Sequence, residues 1–296
     1  MTRVTVRNSD GSSWSDTFVP DSGKPQGEPL PLDSLPRITA KTFDAVGSCI
    51  YCDAVDEKLT REHIVPLGLG GTFVLPASSC TACAGITSAF ERKVLRGPMW
   101  AVRAHLQLKS RRAALAPKSA PLIVVRGGEE ELIELPLAAH PLLLMFPRFA
   151  EPAVFGRGQK GGITMRGHAT YYFGRNPRDV LSDLGADDFQ LPQDYAIVPF
   201  AQLLGKIAWS MAAAEGRLAQ IDRTPGSLVG ALIKTPDDIG RWVGTFPEAP
   251  APQPGVLHNV VPMEIGGYLV YHIQLFADAQ TPRYGVVVGK LAVSAS

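Results

Sequence analysis

The chain has 296 residues, of which 45% are hydrophobic and 19% charged, with a formal net charge of +1. That balance excludes a chain-wide polycation and leaves room for a buried core in two modest domains or one large one. The N-terminus lacks an apolar signal region, and no uninterrupted window of roughly 18 apolar residues predicts a membrane span.

Residues 1–40 are rich in Ser, Asp, Gly and Pro and read as a mobile leader without periodicity. Next come all four cysteines, as two C-x2-C pairs, Cys49/Cys52 and Cys80/Cys83. Each pair can place two thiolates on one turn, and two turns can close a tetrahedron around Zn²⁺. Paired cysteines in an otherwise cysteine-free chain fit metal binding in a reducing compartment better than disulfides, so a cytoplasmic location is expected. Between the pairs, Leu59–Val65 predicts a strand, PLGLGG at 66–71 a loop, and Val74–Leu75 a short second strand. A helix is predicted from near Cys83 to about Leu95, where Gly97-Pro98 interrupts it.

Charge concentrates in this region. Residues 49–118 hold ten of the chain's 29 Lys/Arg but only five of its 28 Asp/Glu. From Arg92 to Lys118 there are eight basic side chains and no acid, in a segment expected to be helical again over 99–115. Such a run suits a polyanion, and neutralising phosphates makes affinity fall with salt. Arg61, Arg92, Lys93 and Arg96 are the candidate nucleic-acid contacts; Arg61 reads equally as a surface charge.

Beyond residue 118 the pattern is mostly β, at 122–125, 131–137, 140–149 and 163–174. The glycine-rich FGRGQKGG at 155–162 reads as a mobile loop without the GK[ST] ending of a phosphate-binding loop. Residues 199–219 predict a core helix with an apolar stripe, on which Lys206 reads as a lysine snorkelling to solvent. A further helical region is predicted over 228–246, a linker over 247–255, and an antiparallel hairpin at the C-terminus. His140, His168, His258 and His272 are scattered and receive no role.

The string C-x2-C … EHIVPLGLGG … C-x2-C followed by a helix resembles the HNH endonucleases, in the subgroup with flanking zinc knuckles. The resemblance covers residues 49–96. It implies a ββα-metal finger with structural Zn²⁺ on the four cysteines, His63 as general base and Glu62 as ligand of a catalytic Mg²⁺ or Mn²⁺. Histidine titrates near neutrality, and hydrolysis needs an activated water and a cation against developing charge. Two positions depart from the family. No Asn lies between Asn8 and Asn176, and Ala84 stands where a final ligand is usual. Glu91 shares a helix face with Ala84 and Thr87. It either completes the metal site or pairs with Arg61 or Arg96.

The expected architecture is therefore α+β: a leader (1–40), a zinc-stabilised HNH module (41–118) and a larger mixed α+β domain without an assigned role (119–296). The expected activity is metal-dependent phosphodiester hydrolysis, on DNA more than RNA, with a homodimer favoured for duplex cutting. The rival expectation is a zinc-binding nucleic-acid-binding protein that has lost catalysis.

Overall fold

The structure is a computed structural model that describes residues 2–7, 13–18, 40–55, 58–108, 117–156, 162–172, 174–192, 195–222, 227–246, 256–279 and 281–292. The linker expected at 247–255, most of the glycine-rich loop and Lys109, Arg111 and Arg112 lie outside the described residues.

In chain order the elements begin with β1 (Thr2–Arg7), β2 (Ser13–Phe18), β3 (Lys41–Thr42), β4 (Leu59–His63), β5 (Phe73–Cys80), α1 (Thr81–Arg96) and α2 (Trp100–His105). There follow β6 (Ser119–Arg126), β7 (Glu129–Pro136), β8 (Leu143–Phe149), β9 (Met165–Tyr172), α3 (Pro177–Leu184), β10 (Asp188–Pro192) and α4 (Ile197–Ala214). The chain closes with α5 (Leu228–Ile233), β11 (Val243–Thr245), β12 (His258–Ile265), β13 (Tyr268–Leu275) and β14 (Tyr284–Lys290). The fold is mixed α+β with several small sheets.

Two compact units divide the chain, and both are discontinuous in sequence. The first takes 1–34, 94–146 and 170–196; the second takes 35–93, 147–169 and 197–296. This differs from a division into consecutive blocks at 40 and 118. The segment expected as a mobile leader supplies two strands, because β1 and β2 pair with each other and β1 runs parallel to β10. The alternation in TRVTVR is the local signal, but only long-range pairing with β10 gives the strand a sheet to join.

The first unit is built on the sheet β2-β1-β10-β6-β7. Helix α3 has its own punctuation: the Asn176 side chain accepts from the Arg178 N–H, Pro177 begins the helix, and Gly185 ends it in the left-handed region. Arg103 donates to the carbonyl of Leu95, so one member of the basic run caps the end of α1.

The second unit contains the sheet β3-β5-β4 and the antiparallel sheet β11-β14-β13-β12, with α4 against β14, β13, β11 and α5. Residues Phe200–Ala212 of α4 are buried without a break, so the expected single apolar stripe is a helix buried on all sides. Gly205 permits this: a Cβ there would meet Leu232 Cδ2 of α5 at 2.9 Å. Helix α4 is long and apolar enough to cross a membrane by length and composition, yet here it is a core helix. The C-terminal hairpin is β13–β14, and β12 extends the same sheet through the Gly266-Gly267 turn, where both residues have positive φ.

Candidate zinc and nucleic-acid site

Strands β4 and β5 pair antiparallel, and α1 starts directly after Cys80. Residues 46–50 lie along the middle of β5. The N–H of Gly47 donates to Ala77 and that of Ile50 to Ser78, at 3.1 and 2.9 Å. This is possible because β5 departs from regular pairing. Thr60 faces Ser79 and Glu62 faces Leu75, so β5 carries extra residues around Ala77, whose φ is 42°. The carbonyls thrown outward by that bulge hold the first cysteine turn. The turn closes on itself through the Cys49 N–H to Ala54 and the Asp53 N–H to Cys49, both 2.8 Å.

The four thiol sulfurs lie within 4.8 Å of one another, and Cys52 Sγ is 3.7 Å from Cys80 Sγ. Zn–S bonds of ~2.3 Å in a tetrahedron require sulfurs about 3.8 Å apart. All four cysteines are free thiols, three of them buried, and together they could bind a metal such as zinc. Zinc would here fasten the first turn to the junction of β5 and α1, which is a structural task with all four positions taken by protein.

Glu62 and Glu91 come together, but around another side chain. Lys206 of α4 is fully buried, with Nζ 2.7 Å from Glu62 Oε1 and 3.0 Å from Glu91 Oε1. The same ammonium donates to the backbone carbonyls of His63 and, at 3.3 Å, of Ile64. Lys206 therefore does not snorkel; solvent is out of reach, and its charge is satisfied by four oxygens inside the protein. Glu91 pairs with neither Arg61 nor Arg96 as its ion partner but with this lysine.

Burial pushes the Glu62 carboxyl above the usual carboxylate range, with Lys206 pulling in the opposite direction. Desolvation works to lower the Lys206 pKa, but the charges of Glu62 and Glu91, with their hydrogen bonds, outweigh it and hold the ammonium above the ordinary lysine value. Tyr51 adjoins the cluster. Its hydroxyl lies 3.4 Å from Ser210 Oγ, and burial, reinforced by the Glu62 charge, raises its pKa well above normal.

Three residues on one face of α4 thus hold the cysteine segment. Lys206 takes the acids and the end of β4, Trp209 donates from Nε1 to the Ile50 carbonyl at 2.7 Å, and Ser210 meets Tyr51. Sequence reasoning missed all three. The signal available was a charged residue in the middle of an otherwise apolar helix, which must find a buried partner if the helix is buried on every side.

The loop after His63 has two further supports. Gly71 is required because a Cβ there would lie 1.9 Å from the Val65 carbonyl oxygen. His258 of β12 donates from Nε2 to the Leu69 carbonyl at 2.7 Å and accepts at Nδ1 from the Phe276 N–H at 3.2 Å. Acceptance at Nδ1 needs the neutral ring. Burial lowers its pKa to about 4, against a small opposing pull from the Leu69 carbonyl.

No family model, curated protein or solved structure matches this chain. Arg61, Arg92, Lys93 and Arg96 are all exposed, and His63 is half-buried at the end of β4. Thr87 is buried on α1 and donates to the Ala84 carbonyl at 3.3 Å. The two carboxylates assigned to a catalytic Mg²⁺ or Mn²⁺ are committed to Lys206, and their geometry does not fit a divalent ion in addition. An ion of charge +2 beside the ammonium would meet a repulsion of roughly 8 kcal/mol at 4 Å and an effective dielectric of ~20, set against its attraction to carboxylates already shared with Lys206.

Proposed function

We propose that the chain is a nucleic-acid endonuclease of the HNH type, acting on DNA in preference to RNA, with His63 as the general base. The observation that supports this most is the placement of Glu62-His63 at the end of β4, in a β4–β5–α1 arrangement clasped by four clustered cysteines. In this reading Zn²⁺ on Cys49, Cys52, Cys80 and Cys83 is structural. His63 takes a proton from the attacking water, a role suited to an imidazole. Exposed Arg61, Arg92, Lys93 and Arg96 meet phosphates. No step is assigned to Mg²⁺ or Mn²⁺ at Glu62 and Glu91. A cytoplasmic setting, and a homodimer when a duplex is cut, belong to the same proposal.

A second reading keeps the binding and drops the cutting. The burial of Lys206 between the two acids favours it specifically, since hydrolysis then lacks its usual cation. The two are separated by assaying zinc-loaded protein on plasmid, single-stranded DNA and RNA, with and without Mg²⁺ or Mn²⁺, beside His63→Ala. Cutting that disappears in the variant while binding persists supports the nuclease. Salt-sensitive binding without cutting in the wild type supports the second reading.

A further inference from the structure

We infer that the ammonium of Lys206 is the resident cation of the acidic site, occupying the place between Glu62 and Glu91 that a divalent metal would otherwise fill. The inference concerns the acid pair alone and holds whether nucleic acid is cut or only bound, so it can fail while the cleavage assay succeeds.

The surroundings of Nζ are those of a hard cation. Every group it touches is an oxygen: two carboxylates and the backbone carbonyls of His63 and Ile64. Oxygen ligands with carboxylates among them are also what Mg²⁺ and Ca²⁺ take. The two carboxylate contacts, 2.7 and 3.0 Å, and the Ile64 carbonyl contact, 3.3 Å, are hydrogen-bond distances of an ammonium, longer than the ~2.1 Å of Mg²⁺ and the roughly 2.3–2.6 Å of Ca²⁺. The lysine is also tethered. It sits in a helix buried from Phe200 to Ala212, so it cannot swing out to make room.

The lysine leaves no empty acidic pocket between Glu62 and Glu91 and supplies the positive charge that the two acids need. It also joins three elements at one point: the end of β4, α1 and α4. The ammonium thus serves as a positioning group for the strand that carries His63, through the His63 carbonyl.

The test is a Mn²⁺ titration of the zinc-loaded full chain, read by electron paramagnetic resonance of the free ion. Wild type is expected to bind no Mn²⁺ below a Kd of ~1 mM in a manner that depends on Glu91. Lys206→Ala should gain affinity at least about tenfold, and adding Glu91→Gln should remove the gain. A folded Lys206→Ala that gains nothing overturns the inference. If that variant does not fold, wild type against Glu91→Gln decides alone: sub-millimolar Mn²⁺ binding in the wild type that Glu91→Gln weakens by tenfold overturns it, and its absence sustains it.

Discussion

Replacing Lys206 by methionine keeps most of the side-chain volume and removes only the charge and its donors. The Glu62 and Glu91 oxygens each lie within 3.0 Å of Nζ, so they are at most about 6 Å from each other, where unit charges repel by roughly 3 kcal/mol at an effective dielectric of ~20. The His63 and Ile64 carbonyls also lose their donor. Removing one partner of a buried ion pair typically costs about 3–5 kcal/mol, and that is the loss expected here at pH 7. The assay is urea unfolding of the zinc-loaded protein, for Lys206→Met and for Glu62→Gln/Lys206→Met. The double variant should recover part of the loss, because one of the stranded charges is gone. The pH dependence has a definite sign. A carboxyl whose folded pKa is raised keeps a proton that the unfolded chain releases. Stability of Lys206→Met should therefore rise as pH is lowered through the raised folded value of Glu62, and level off below the ordinary carboxyl value of 4.5. A loss under about 1 kcal/mol, with no recovery in the double variant, would refute the view that these groups interact as buried charges.

Chelation of zinc, or Cys80→Ser, should unfold at least the segment from Cys49 to the start of α1, since structural zinc contributes folding energy directly; a metal-free chain with unchanged near-ultraviolet dichroism would argue against the site. His258 gives a second pH effect, of opposite sign to Glu62. Its folded pKa of about 4 lies below the ordinary 6.5, so it stabilises fully above 6.5 and loses that contribution as pH falls toward 4. His258→Gln should remove roughly 3 kcal/mol of pH-dependent stability across that window, measured as the difference in unfolding slopes; identical slopes would mean the ring does not titrate between the Leu69 and Phe276 contacts. Neutralising Arg92, Lys93 and Arg96 together should lower the slope of log affinity against log salt by about 2–3 on duplex DNA, and an unchanged slope would place the contact surface elsewhere.

Local chemistry made much of the first module legible in the sequence. Two C-x2-C turns, a short alternating run at 59–63, glycines at 70 and 71 and a helical period after Cys80 each act over a few residues, and the cysteine cluster, β4 and α1 lie where that pattern puts them. The strand pairing of Thr2–Arg7 with β10 was not legible, because its partner is distant in sequence and the segment's composition is that of a loop. The bulge in β5 was equally hidden, since the residues that compensate it belong to 46–50. The fate of the acids was decided at the greatest distance. Glu62 and Glu91 could be placed on a strand and a helix from their own neighbours. What neutralises them is a lysine more than a hundred positions away, on a helix whose own sequence says only that it must be buried. A charge in a buried helix has to find oppositely charged partners, but which ones is a property of the packed core, and only the tertiary structure supplies it.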